Sequence, residues 1–134
     1  MDGFELNTAL TVALELTGEV GALLLAKDRA RSMSYQKESI SSVVNEVDGE
    51  AEQIYRLRLQ QAFPSHSFLG EETGLSVNDP DYCWIVDPLD GTSNYLANLP
   101  WFGTMVTLVC KGTPTIGVIA LPELNLTYSC LKGA

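Results

Sequence analysis

The stretch Cys83-Trp-Ile-Val-Asp-Pro-Leu-Asp-Gly-Thr-Ser-Asn-Tyr95 organises the rest of the chain. Its first four residues are a continuous apolar run, read as a buried strand that ends at Asp87. Asp87 and Asp90 follow, three residues apart, with Pro88 set to fix the turn between them. A second strand signal lies upstream: Ser67-Phe-Leu69 ends at Gly70 and is followed by Glu71 and Glu72. Two strands therefore end in carboxylates, and strand ends are rigid places from which to hold a ligand.

Downstream, three further runs read as strands: Thr104 to Cys110, Thr115 to Leu121 and Leu126 to Leu131. Lys111-Gly-Thr-Pro114 and Pro122-Glu-Leu-Asn125 break them, which is the spacing of an antiparallel meander. Asn78-Asp-Pro-Asp81 is a turn cluster. Upstream, the first thirty residues read as a helix, with Leu6, Leu10, Ala13, Leu14 and Leu24 at three- and four-residue spacings. Ser32 to Ser42 reads as a polar loop. A second helix is expected from Asn45 to Ala62, facing inward through Val47, Ala51, Ile54 and Leu57 or Arg58, and stopped by Pro64. Helices followed by a meander give an α+β fold, residues 1–134 forming one unit with two helices on one face of a largely antiparallel sheet.

Composition narrows the function. Eight Lys and Arg against seventeen Asp and Glu give a net charge of −9. Nucleic-acid backbones and anionic membranes need a basic face, so neither is the expected partner. Cys83, Cys110 and Cys130 are odd in number and unpaired in spacing, which implies reduced thiols and no zinc site. The N-terminus lacks the basic start of a targeting peptide, and Val20 to Ala26 is too short a run to span a bilayer. A cytoplasmic protein is expected.

The carboxylates point to a cation. Left bare, clustered Asp and Glu repel one another and at least one pKa rises. Oxygen donors with no Cys or His beside them suit a hard ion, Mg²⁺ before Mn²⁺ or Ca²⁺. Gly91-Thr92-Ser93 offers free backbone N–H groups at an expected helix start, which suits a phosphate. Cations beside such a nest describe metal-assisted hydrolysis of a phosphate ester. The plainer alternative makes the two Asp turn residues and Ser93 a helix cap. Asp48 could be a first-turn charge, Lys37 solvated surface and Glu72 a bystander. His66 reads as structural, Trp101 and Phe102 as packing, and the cysteines as buried small hydrophobes.

Trp84 to Tyr95 resembles the first signature of the inositol monophosphatase family, the magnesium-dependent, lithium-sensitive phosphomonoesterases. Pro64-Ser-His-Ser-Phe-Leu-Gly-Glu-Glu72 resembles the segment before it, and Val44-Asn-Glu-Val-Asp48, with Lys37 upstream, matches the family's early aspartate and lysine. The resemblance implies that Glu71, Asp87 and the Leu89 carbonyl hold a first Mg²⁺, Asp87 and Asp90 a second, and Glu71 part of a third. Asp90, Gly91 and Thr92 would face the substrate phosphate. Thr92 and Asp48 would activate the attacking water, with Lys37 near the third ion. It also implies the first half of a layered αβαβα fold and a homodimer. The short loop from Glu72 to Tyr82 resembles the inositol monophosphatases, so inositol monophosphate is the expected substrate; histidinol phosphate, or a non-catalytic regulatory role, is the alternative. A second family signature, built on a tryptophan–aspartate pair, has no counterpart here. After Asp90 the only acidic residue is Glu123.

Overall fold

The computed structural model describes residues 1–27, 29 and 37–134, with 37–43 described by backbone alone. Helix α1 spans Gly3–Ala26 and α2 spans Lys37–Ala62. Strands β1 (His66–Gly70), β2 (Gly74–Ser76) and β3 (Asp79–Asp90) follow. The short helix α3 (Thr92–Leu96) leads to β4 (Gly103–Cys110), β5 (Thr113–Leu121) and β6 (Leu126–Leu131). The six strands form one sheet in the order β2-β1-β3-β4-β5-β6. Only the β1–β3 pair is parallel; β3 through β6 form the expected antiparallel meander.

Local chemistry explains the helix limits. Asp2 accepts from the Glu5 backbone N–H at 2.8 Å while Glu5 accepts from the Asp2 N–H at 2.7 Å, a reciprocal cap. Helix α1 stops at Ala26, short of the thirty residues expected. The expected Ser32–Ser42 loop is corrected from residue 37 on, because α2 already begins at Lys37; its first part, 32–36, lies outside the described residues. Ser costs only about 0.5 kcal/mol relative to Ala in a helix, and neither Gly nor Pro interrupts 37–48. Two strand limits also move. The Asn78–Asp81 cluster is not all turn, and the central strand does not end at Val86: β3 runs from Asp79 through to Asp90.

Every second residue of the central strands is buried: Trp84 and Val86, Thr104, Val106 and Leu108, then Ile116, Val118 and Ala120. These join one core with Ala9, Ala13, Leu16, Val20 and Leu24 of α1 and Val47, Ala51, Tyr55 and Leu59 of α2. The inward faces match expectation at Ala13, Leu24, Val47 and Ala51, with Leu6, Leu10 and Ile54 partly buried against the core, and differ elsewhere. Leu14 and Leu57 are exposed, and small Ala9 and Ala13 lie inward so that α1 can approach the sheet closely. Arg58 instead pairs with Glu19 on the surface at 2.7 Å. By length and apolar composition α1 is also long enough to cross a bilayer, against the reading from Val20–Ala26 alone; here its inward face packs on the core. The opposite face of the sheet keeps Leu69, Ile85, Ile119 and Tyr128 between 36% and 58% exposed. The three cysteines are free thiols, but none is fully buried as expected: Cys130 is exposed, and Cys83 and Cys110 are half-buried, with Cys110 packed against the core.

Candidate active site

The parallel pairing of β1 with β3 brings the two acidic strand ends together. Leu69 pairs with Ile85, so Glu71, just beyond the end of β1, stands beside Asp87 of β3, each two residues further on. Asp90 reaches the same place by an irregularity. Residues three apart on a regular strand point to opposite faces. Here Asp87 pairs with Met105 and Asp90 with Gly103, so β3 has one residue more than β4 across this interval. That bulge returns Asp87 and Asp90 to one face. The expected turn at Pro88 is therefore a bulged strand, and Pro88 and Leu89 are buried within it.

Asp48 arrives from α2. It is 8% exposed, and its Oδ1 is buried without a hydrogen-bond partner, as is Asp87 Oδ1. Burial, and then the charges of Glu71, Glu72, Asp87 and Glu52, push the Asp48 carboxyl up to about 7. Burial also raises Asp87, followed by Glu71 and Asp90, while a hydrogen bond from the Leu89 backbone pulls the other way. Six carboxylates, Asp48, Glu52, Glu71, Glu72, Asp87 and Asp90, thus gather from α2, the β1–β2 corner and β3. Two buried oxygens lack any protein donor, an arrangement that hard cations relieve and protein groups here do not. Among the described residues no three such side chains converge at ligating distance. The donor chemistry fits a divalent ion; the closed coordination shell is not formed.

Gly91 follows Asp90 with φ of 79° and caps α3, whose first residue is Thr92. A Cβ at Gly91 would stand 2.7 Å from the Trp101 carbonyl oxygen, so this link between carboxylate and hydroxyl has to be glycine. Asn94 Nδ2 donates to that same carbonyl at 2.9 Å. Tyr95 ends the quoted stretch inside the core, its O–H donating to the Leu24 carbonyl at 2.8 Å. Phe102 packs edge-on against Tyr95, as expected, whereas Trp101 is 62% exposed and does not serve as packing. Lys37 opens α2, and its side chain lies outside the described residues. His66 is structural: its Nδ1 accepts from the Trp84 indole N–H at 3.1 Å, between the rings of Phe63 and Tyr82.

Three supporting groups escaped the sequence reading. Glu52 is fully buried and accepts from the backbone N–H groups of Glu72 and Thr73 at 2.9 and 2.8 Å. Arg56 donates through Nε to the Thr73 hydroxyl at 3.1 Å and stacks on Phe68. Tyr55 and Thr104 share a buried hydrogen bond of 2.7 Å. The available signal was spacing: Glu52 and Arg56 follow Asp48 at successive steps of four on one helix.

Known proteins resemble this chain in sequence and fold over nearly its whole length. The quinic acid degradation cluster protein x of Neurospora crassa is 32% identical over 152 aligned residues, covering 96% of this chain and 45% of that protein. The histidinol-phosphatase of Chlorobaculum parvum is 32% identical, covering 93% of this chain and 48% of that protein. The solved structure of an inositol monophosphatase from Anabaena (Nostoc) sp. PCC 7120 superposes with a TM-score of 0.79 at 32% identity, covering 96% of this chain and 46% of that one. The chain thus spans about half the length of the relatives it matches. The inositol monophosphatase family profile matches residues 5–134, nearly the whole sequence and every acidic strand end described above; the chain belongs to the inositol monophosphatase family.

Proposed function

We propose that this chain supplies the metal- and phosphate-binding side of a Mg²⁺-dependent phosphomonoesterase whose substrate is inositol monophosphate. The observation that carries this reading is the pair of buried, unpartnered oxygens, Asp48 Oδ1 and Asp87 Oδ1, within a cluster of like charge. When bound, a divalent ion at such a site makes hydroxide available near neutral pH and neutralises the leaving alkoxide. Glu71, Asp87 and the Leu89 carbonyl would hold one ion, Asp87 and Asp90 another, with Glu71 contributing to a weaker third near Lys37. The Gly91 N–H and Thr92 bind the phosphate beside Asp90. The Thr92 hydroxyl orients the attacking water, and Asp48 takes its proton. The short segment from Glu72 to Tyr82, like that of the inositol monophosphatases, favours inositol monophosphate, and a histidinol-phosphatase among the relatives makes histidinol phosphate the second substrate to test.

The test is phosphate release from inositol 1-phosphate and from histidinol phosphate, with and without Mg²⁺ and with added Li⁺. Mg²⁺-dependent turnover blocked by Li⁺ is the expected result, and the preferred ester names the substrate. Turnover indifferent to chelation would overturn the metal-based reading. A folded chain that binds Mg²⁺ without turning over either ester would make it a binding half without catalysis.

A further inference from the structure

We propose that Glu52 is a positioning residue: its buried carboxylate grips the corner between β1 and β2 by two peptide N–H groups and so aims Glu71 into the acidic site. The proposal rests on the metal-site reading above. Burying a carboxylate costs several kcal/mol unless it is well bonded. Glu52, fully buried, meets that cost with the N–H groups of Glu72 and Thr73 and forms no salt bridge among the described residues. Those two residues directly follow Glu71, so the carboxylate fixes the peptide units that set where Glu71 leaves the backbone.

The surroundings are shaped for the same end. A Cβ at Gly70 would strike Glu52 Oε1 and Cδ, so the residue before Glu71 has no side chain where the Glu52 carboxylate lies. Arg56, one turn further along α2, holds the same corner through the Thr73 hydroxyl. The Glu52 charge also adds to the field that raises Asp48. A carboxylate kept only for stability would do better with a cationic partner than beside four other acids. Glu52 instead joins α2, which carries Asp48, to the corner that carries Glu71, and sets the distance between them.

The experiment uses Mn²⁺ as the probe, with ¹⁵N spectra of the metal-free chain. In the wild type, the Glu72 and Thr73 amide protons should exchange slowly, and in Glu52→Ala they should exchange quickly. Glu52→Gln keeps the size but loses one acceptor, and Glu52→Asp keeps the charge but is one methylene short. Both should weaken Mn²⁺ binding by roughly 10-fold or more, the range seen for residues that orient metal ligands. A purely structural role would lower the melting temperature and leave Mn²⁺ affinity within about two-fold, below that same range, and this overturns the proposal. Wild-type affinity in Glu52→Asp overturns it as well, because charge alone would then suffice. If Glu52→Ala does not fold, the Gln and Asp variants decide. Glu71→Gln separates the two readings. If it weakens Mn²⁺ binding while the Glu52 variants do not, only the positioning role fails. If the wild type binds no Mn²⁺, the metal site fails and the positioning role with it.

Discussion

The hydroxyls of Tyr55 and Thr104 lie 2.7 Å apart in the core, and the Thr104 hydroxyl stands 3.5 Å from the Asp87 carbonyl oxygen. One buried bond thus ties α2 to β4 directly behind the acidic strand end. Burial raises the Tyr55 phenol well above its usual range, so it stays a neutral donor.

Tyr55→Phe leaves Thr104 with only the long contact to Asp87. The expected loss is about 1–2 kcal/mol of unfolding free energy, read from a urea midpoint. Thr104→Val should cost a similar amount, and the double variant less than the sum. A strictly additive double variant would show that the two hydroxyls are not coupled.

Asp48 gives a pH signature. Its folded carboxyl titrates near 7 against 3.8 for the free side chain, so the native state holds the proton longer than the unfolded chain. Stability from this group is full below about 4 and declines as pH rises through 7. Without metal, Asp48→Asn should therefore be more stable than wild type at pH 8, by about 1 kcal/mol or about 4 °C in melting temperature. At pH 4 the two should melt alike. A variant less stable at pH 8 would show that the charged carboxylate is satisfied in the fold.

His66 works in the opposite direction. Burial holds its imidazole below the usual 6.5, and Nδ1 must stay unprotonated to accept from Trp84. The native state therefore takes up fewer protons than the unfolded chain as pH falls below 6.5, and stability drops there. His66→Gln removes the titration, so its melting temperature relative to wild type should improve between pH 7.5 and pH 5. An unchanged difference would remove His66 from the acid response.

Divalent metal should oppose the Asp48 effect. Added Mg²⁺ at about 100 times its Kd stabilises a binding-competent fold by about 2.7 kcal/mol. Asp87→Asn should abolish most of that gain at pH 8. Equal stabilisation of the variant would place the ion elsewhere.

Gly91→Ala combines a backbone angle unfavourable for a side chain with the 2.7 Å approach to the Trp101 carbonyl. A loss of about 2 kcal/mol or more is expected in thermal unfolding. A neutral effect would mean that the Trp101 segment moves aside at little cost.

The meander, both helices and the acidic strand ends were legible because each rests on local pattern: apolar runs, Gly and Pro breaks, and carboxylates after strands. The register was not. That Asp87 and Asp90 share a face depends on a bulge set by pairing with Met105 and Gly103, which no local pattern at Pro88 announces. The inward stripe of α1 was read correctly at Ala13 and Leu24, but the exposed Leu14 was placed in it and the buried Ala9, Leu16 and Val20 were missed, because the face that meets the sheet is set by packing rather than by the largest apolar residues. Glu52 was invisible for a related reason. A charged residue between Ala51 and Gln53 reads as solvent-facing until the Glu72 and Thr73 amides are known to meet it.

Helix α2 carries Asp48, Glu52, Tyr55 and Arg56 on consecutive turns, with four residues spanning about 6 Å of its axis. Glu52 and Arg56 both grip the β1–β2 corner, Tyr55 grips β4 through Thr104, and Asp48 is buried on the same helix. The acidic site therefore has no melting transition of its own. Thermal fraying of the β1–β2 corner is suppressed until the helix lifts, and when it lifts every one of these attachments is lost in the same event. Loss of the site and loss of the fold should follow a single curve.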